Sequence, residues 1–193
     1  LFSKVNFSYN KKLILNNFSF SIKKGEKIAI VGESGCGKTT IIDLLLKFYT
    51  IDNGEIQIDS VNIENKNLSQ LRSMFGLVSQ DVFLFNDSIA NNISLGEQYI
   101  NIDKVIDASK KANAHKFISM LENKYETKIK NQGKNFSAGE KQRISIARAI
   151  YGDYPILIFD EATSSLDTKS TNHIQNIINN IGKGKTCIII SHK

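Results

Sequence analysis

Apolar and polar residues alternate along the opening stretch of the chain, as they do in strands with one exposed face. The alternation runs through residues 1–9 and returns over residues 18–22. Residues 24–26 (Lys-Gly-Glu) then predict a turn, and Asn53-Gly54 predicts a tight turn ahead of a short strand at 55–58. We expect these segments to form an antiparallel patch of sheet.

A second kind of strand is predicted by short runs that are apolar at nearly every position. Such runs, rich in β-branched residues and bounded by turn residues, are typical of parallel strands buried on both faces. They occupy residues 28–31, 76–79, 156–159 and 186–190. We therefore expect a parallel sheet beside the antiparallel patch.

Helical spacing of apolar residues predicts the remaining elements. It occurs at 39–46, 88–93, 102–121, 138–150 and 168–181. Ser137 and Glu140 form an S-x-x-E capping box, which marks the start of a helix at Ser137. The interpretation is one α/β domain over 1–193, with a core from 1–80 and 151–193 and a helical subdomain at 81–150.

Composition changes this picture little. The chain has 193 residues, of which 41% are hydrophobic and 23% charged, as in ordinary globular domains. The net charge of +6 could suit nucleic acid or an anionic membrane, but no dense basic block appears, so Lys-rich solvated faces are the favoured interpretation. Cys36 and Cys187 lack metal-type spacing and are interpreted as reduced thiols of a cytosolic protein. No apolar run approaches the ~18 residues of a membrane span, and we expect the chain to be a piece of a longer protein.

The clearest chemical signal is a phosphate-binding loop between the strand at 28–31 and the helix at 39–46. Residues 32–39 fit the pattern G-x-x-x-x-G-K-[ST] at every required position. Its backbone N–H groups would surround phosphates, Lys38 would reach the β- and γ-phosphates, and the Thr39 hydroxyl would hold Mg²⁺. A chance match would not be expected to have this strand-loop-helix context. The residues expected to bind the nucleotide here are Gly32, Glu33, Ser34, Gly35, Cys36, Gly37, Lys38, Thr39 and Thr40.

Two carboxylates follow the buried strand at 156–159. Asp160 would be carried to the carboxyl edge of a parallel sheet, beside the phosphate loop, where it can hold Mg²⁺. Glu161 would be free to orient and deprotonate an attacking water. The string is weak alone, because many strands end in acidic turns, but a complete phosphate loop upstream favours the functional interpretation.

With these motifs in place, the chain resembles the nucleotide-binding domain of ATP-binding cassette (ABC) transporters over essentially its whole length. The resemblance implies a P-loop NTPase (RecA-like) core with a mixed or parallel sheet, an antiparallel β-subdomain at the N-terminal side, an inserted α-helical subdomain, and a domain end missing after Lys193. The segment at 80–93 resembles the exporter branch, whose membrane half is usually fused N-terminally. The landmarks are Tyr9, the phosphate loop, Gln80, the signature segment 136–140, Asp160-Glu161, residues 164–167 and His192.

The resemblance implies a role for each landmark. Tyr9 would stack on adenine, Gln80 would link Mg²⁺ and the attacking water to the membrane domain, and His192 would contact the γ-phosphate and position Glu161. Two cassettes, identical or different, would close head to tail on two ATP molecules. The signature residues Ser137, Ala138, Gly139 and Glu140 would meet the partner's ATP, and Asp167 would lie at the dimer seam.

The signature departs from the family's usual Leu-Ser-Gly-Gly-Gln. Ala138 adds a methyl group, and any need for a positive φ there would cost ~1 kcal/mol or more. Glu140 brings a negative charge near the partner's ATP, although it could instead face its own helix end. Asn131 stands where exporters commonly carry a glutamate associated with communication to the membrane domain. Turnover could therefore be slow or asymmetric.

The favoured hypothesis is an ATPase that powers export at the cytoplasmic face of the cell membrane, with ATP and Mg²⁺ as cofactors and no nucleic-acid partner. One alternative is a soluble ABC ATPase acting on nucleic acid or the ribosome, which the charge of +6 keeps open. Soluble proteins of that kind typically carry a long coiled coil or two cassettes in one chain, and neither is present. The other alternative is a catalytically weak regulatory cassette.

Overall fold

Two sheets organise the molecule. The structure, a computed structural model, describes residues 1–162, 168–181 and 184–191, and for residues 168–170 and 173 it describes the backbone only. Within these ranges the strands form one sheet of order β2-β1-β4-β5 and one of order β3-β8-β7-β6. The strands are β1 Phe2–Tyr9, β2 Lys12–Phe20, β3 Lys27–Val31, β4 Asn53–Ile58, β5 Val61–Asn62, β6 Phe75–Val78, β7 Ile156–Asp160 and β8 Thr186–Ser191.

The helices connect and cover these strands. Those described are α1 Lys38–Leu45, α2 Leu68–Arg72, α3 Ile89–Ser94, α4 Ile102–Lys111, α5 His115–Ser119, α6 Ala138–Tyr151 and α7 Thr168–Ile181. Single 3₁₀ turns lie at Ile63–Asn65, Lys124–Glu126 and Asn131–Gly133. In the part of the chain that the structure describes, no helix is both long enough and apolar enough to cross a bilayer.

The antiparallel sheet is built from two hairpins. Their turns are Asn10-Lys11, with φ of 46° and 69°, and Asp59-Ser60, with φ of 51° and 63°. Positive φ at both central residues suits the twist of two-residue hairpins. The sequence did not indicate either turn, because neither contains the glycine that usually marks one.

The prediction of a tight turn at Asn53-Gly54 is wrong. Both residues belong to β4, which pairs with β1 through Asn6↔Asn53 and Ser3↔Glu55. On β1 two residues stand between those pairs, whereas β4 has only Gly54, so the ladder is irregular there. Gly54 has a φ of 97°, and its flexibility serves this β-bulge.

The second sheet is parallel throughout, as predicted. Its register pairs Val31 with Ser191, Ile190 with Asp160, and Phe159 with Val78. The carboxyl ends of all its strands therefore lie along one edge. The phosphate loop and the Asp160-Glu161 pair both follow strands that end there.

One predicted helix is divided. Residues 102–121 form α4 and α5, separated by Ala112–Ala114, where Asn113 takes a φ of 54°. The left-handed residue ends α4, and α5 starts in a new direction. The helix α2 was not predicted from the sequence, and its five residues are too few to show a clear period.

Two hydrophobic clusters pack on opposite faces of the parallel sheet. Leu157 and Phe159 face the cluster that includes α3, α4 and α6, while Ile158 faces the one that includes α1 and the antiparallel sheet. This alternation follows from the two-residue period of a strand. The α/β architecture is confirmed, while the division of the chain at residues 80 and 150 stays a prediction.

Candidate nucleotide-binding site

The phosphate loop bends sharply between β3 and α1. Gly35 and Gly37 have φ of 79° and 99°, and Gly37 is the N-cap of α1 without a side-chain hydrogen bond to the helix. A Cβ added to Gly37 would lie 3.0 Å from Ile14 Cγ2. The first N–H groups of α1 therefore have no capping side chain, which leaves this helix end suited to an anion.

Lys38 lies inside the curve of the loop. The side chain is buried, and its Nζ donates hydrogen bonds of 2.8 Å to the carbonyl oxygens of Gly32 and Glu33. These two bonds fix the ammonium group close to the α1 N-terminus. A buried positive charge at that position favours a polyanionic ligand.

The loop forms one wall of a cavity of about 300 Å³. Its lining comes from the first strands, from the loop with the start of α1, and from the end of β7. The lining residues are Tyr9, Ile14, Ser34, Gly35, Gly37, Lys38, Thr39, Thr40 and Glu161. The structure thus brings together predicted site residues that lie as far apart in sequence as Tyr9 and Glu161.

Glu161 has an unusual backbone. Its φ is 48°, and its N–H donates a 3.1 Å hydrogen bond to the carbonyl oxygen of Ile190 on β8. A non-glycine residue in the left-handed region costs energy and recurs at functional sites. The bend places Glu161 in the cavity wall directly after β7 ends at Asp160.

Tyr9 is held by contacts on three sides. Its hydroxyl donates a 3.3 Å hydrogen bond to Asp43 Oδ2, and its ring packs edge-to-face with Phe7 and Tyr49 at centroid distances of 4.7 and 5.0 Å. Burial raises the pKa of Tyr9, while a hydrogen bond with the Thr40 side chain lowers it. Burial also raises the pKa of Asp43, and the bond from Tyr9 opposes that shift.

Hard oxygen donors suited to Mg²⁺ are present at the same edge of the sheet. Thr39 offers a hydroxyl in the cavity wall, and Asp160 a half-buried carboxylate at the end of β7. Among the described residues, no group of three or more His, Cys, Asp or Glu side chains could hold a metal. This donor set fits Mg²⁺, which needs few protein ligands when phosphate oxygens and waters complete its shell.

Some predicted site residues lie outside the cavity wall. Gln80 follows β6 at the same edge of the sheet but does not line the cavity. Gly32 and Glu33 contribute carbonyls to Lys38 instead. Cys36 carries an exposed free thiol. Residues 163–167, with Asp167, and His192 fall outside the described residues, so their predicted roles are not addressed by the structure.

The signature segment lies at the start of α6 and does not line this cavity. The predicted capping box is confirmed: Glu140 Oε2 accepts 2.8 Å hydrogen bonds from the Ser137 N–H and hydroxyl, and the Glu140 N–H donates to Ser137 Oγ at 3.2 Å. Glu140 therefore faces its own helix end. Ala138 has no positive φ, since it is the first residue of α6, and the strain expected there does not arise.

Asp43 and Tyr49 were not identified from the sequence as site residues. Asp43 lies three residues after Thr40, so both side chains share one side of α1. This spacing from the phosphate loop was the available signal. Tyr49 lies beyond the end of α1, and only the folded chain brings it to Tyr9.

The sequence of this chain is similar to those of known proteins. The family described as ABC transporter matches residues 15–164. An ATP-dependent lipid A-core flippase of Saccharophagus degradans is 46% identical over 190 residues, which are 98% of this chain and 32% of that protein. ABC transporter B family member 6 of Dictyostelium discoideum is 44% identical over 201 residues, covering 100% of this chain and 30% of that protein.

A solved structure shows the same fold. It is that of a bacterial Atm1-family ABC exporter with ATP bound, with a TM-score of 0.93 and 40% identity, covering 100% of this chain and 34% of that one. The predicted P-loop NTPase fold is thereby confirmed. The chain spans about a third of the length of these relatives.

Proposed function

This chain belongs to the ABC transporter family, and we propose that it binds ATP with Mg²⁺ and hydrolyses it to power export of a solute. One observation carries the proposal. A single cavity of about 300 Å³ is lined by an aromatic ring, a phosphate loop with its lysine, and a carboxylate. These are the parts that binding and hydrolysis of a nucleoside triphosphate require.

Residues of this chain account for nucleotide binding, Mg²⁺ binding and activation of the attacking water. Lys38 and the first N–H groups of α1 bind the β- and γ-phosphates, and Tyr9 stacks on the base. Thr39 and Asp160 hold Mg²⁺, with Gln80 as a further ligand; the ion, when bound, neutralises charge on the phosphate oxygens. Glu161 orients and deprotonates the attacking water, with His192 at the γ-phosphate.

A second cassette completes the site in this proposal. Ser137 and Ala138 are exposed at the start of α6, so the signature segment is accessible to a partner's ATP. Asp167 lies at the dimer seam. The partner is an identical or a homologous cassette. Both attach to the cytoplasmic face of a membrane through a transmembrane domain fused N-terminally to the chain.

The relatives support transport over the alternatives. Those described above are named as a flippase, a B-family transporter and an exporter. A soluble ATPase acting on nucleic acid or ribosomes has no such support. A catalytically weak cassette is disfavoured by Lys38 and Glu161, which both line the cavity.

The test is the steady-state rate of phosphate release over a range of protein concentrations, for this chain and its Glu161→Gln variant. We expect the rate per chain to rise with concentration, because the active form is a dimer. The variant should lose activity by a factor of about 10²–10⁴, the usual contribution of a general base.

Exposed Glu122 provides the matched control, since Glu122→Gln makes the same chemical change at a residue that does not line the cavity. Circular dichroism checks that each variant is folded. If Glu161→Gln and Glu122→Gln hydrolyse ATP equally fast, Glu161 is not the base. If the folded chain does not bind ATP, the proposal fails as a whole.

A further inference from the structure

The base-binding ring and the phosphate loop are attached to the same helix. Tyr9 belongs to β1, but its hydroxyl reaches Asp43 on α1 and its ring packs against Tyr49, just beyond the end of α1. The opposite end of α1 begins at Lys38 in the phosphate loop. The eight residues of α1 span about 12 Å.

This helix is a rigid element. Ile41, Ile42, Leu44 and Leu45 are all buried in the cluster between the two sheets. Asp43 is half-buried among them, so its carboxylate is carried on a backbone that has little freedom to move. A side chain that bonds to Asp43 is therefore placed relative to the phosphate loop.

The contacts restrict both rotations of the Tyr9 side chain. The hydrogen bond to Asp43 acts at the hydroxyl, on the ring axis, so it fixes where the ring lies and leaves its spin free. The edge-to-face contacts with Phe7 and Tyr49, both with interplanar angles of 87°, restrict that spin. Together they define one orientation of a ring that lines the cavity.

We propose that Asp43 and Tyr49 are positioning residues that set the Tyr9 ring for stacking on the base, so that α1 fixes both ends of a bound purine nucleoside triphosphate. The proposal rests on the proposed function. Neither residue is expected to touch the nucleotide, and both act through Tyr9. Pre-organising the ring removes part of the entropy cost of ordering it when the nucleotide binds.

The negative charge of Asp43 helps to distinguish ring positioning from a purely electrostatic effect on ATP binding. Replacing Asp43 with a neutral residue removes a negative charge from the neighbourhood of the phosphate loop, and this alone strengthens binding of an anion. Weaker ATP binding after the replacement therefore cannot come from the change in charge. If tripolyphosphate binding is not weakened as well, the loss comes from ring positioning.

The experiment measures dissociation constants for ATP and for inorganic tripolyphosphate, which has no base. The proteins are this chain and its variants Asp43→Ala, Asp43→Asn, Tyr49→Ala, Tyr9→Phe and the double variant Asp43→Ala/Tyr9→Phe. Asp52→Ala, at an exposed carboxylate, is the control for loss of one charge.

Asp43→Ala and Tyr49→Ala should raise the Kd for ATP about fivefold, a part of the energy of base–aromatic stacking. The Kd for tripolyphosphate should stay the same or fall. Asp43→Asn should restore ATP affinity to within about twofold, because its amide oxygen can accept the same hydrogen bond. The ratio of the Kd for ATP to the Kd for tripolyphosphate should be the same in Tyr9→Phe and in the double variant, since Asp43 acts on base binding only through the Tyr9 hydroxyl.

Three results would overturn the proposal while leaving the proposed function intact. Asp43→Ala could bind ATP as tightly as the unmodified chain. It could lose affinity equally for ATP and tripolyphosphate, which indicates general damage to the site. The effects of Asp43→Ala and Tyr9→Phe could add, which indicates independent action. If the unmodified chain binds tripolyphosphate but shows no preference for ATP, there is no base site and both proposals fail.

Discussion

Replacing Gly54 with alanine should damage the fold far more than replacing Gly25, although both glycines have a positive φ. Their φ values are 97° and 80°. Alanine in this region costs about 1–2 kcal/mol, partly offset by the lower entropy of the unfolded chain. The two sites differ in the free space around an added Cβ atom. A Cβ on Gly25 meets no atom within 4 Å, whereas one on Gly54 lies 2.4 Å from the Lys4 carbonyl oxygen and 2.7 Å from that of Ser3.

The atoms that oppose Gly54→Ala belong to backbone, which cannot move aside like a flexible side chain. To accommodate the methyl group β1 must shift away from β4, and overpacking of this kind costs about 1–3 kcal/mol. We therefore expect Gly25→Ala to lower the free energy of unfolding by about 1 kcal/mol and Gly54→Ala by about 3 kcal/mol.

Urea unfolding followed by far-UV circular dichroism measures both values; the chain has no tryptophan, so fluorescence is less suitable. An equal m-value in the two variants shows that the same cooperative unit unfolds. If the losses in the free energy of unfolding for the two variants differ by less than about 0.5 kcal/mol, the bulge between β1 and β4 does not restrict the residue at position 54.

Three further outcomes are expected from urea unfolding. Arg148→Met should cost about 2 kcal/mol, because the guanidinium donates to the carbonyl oxygens of Asn92 and Phe83; a change below ~0.5 kcal/mol would contradict this. Ser137→Ala should cost about 1 kcal/mol through loss of the capping box, and an unchanged midpoint would refute it. Asp43→Asn should stabilise the fold at pH 7, because burial raises the pKa of Asp43 and so penalises the ionised form. That gain should vanish as the pH falls through the pKa of Asp43 in the folded protein; a gain independent of pH would exclude this cause.

Local chemistry made several parts of this protein predictable. The phosphate loop is a continuous segment whose glycines and lysine have fixed roles, and its strand-loop-helix context appeared as expected. The capping box at Ser137 was also predictable, since both partners lie within one helical turn. The buried strands followed from their apolar runs. In each case the residues that decide the structure are neighbours in sequence.

The sequence did not show where the antiparallel sheet turns, or what Gly54 does. Asn53-Gly54 is a strong hairpin signal, but the pairing with β1 uses Gly54 for a bulge. That pairing joins residues about fifty positions apart, so no local pattern encodes it. The break at Asn113 was missed for a related reason, because α4 and α5 continue the same helical spacing on either side of it.

The chemical parts of the site can therefore be identified from the sequence alone: a loop for phosphates, a carboxylate pair after a strand, and an aromatic ring near the start of the chain. The folded chain is needed to show that Tyr9 and Glu161 line one cavity, and that Asp43 and Tyr49 contact the Tyr9 ring. The difference lies in the range of the interactions. Hydrogen bonds within a turn are encoded by residues that are adjacent in sequence. The cavity depends instead on how the two sheets pack against α1, and all the buried side chains between the sheets contribute to that packing.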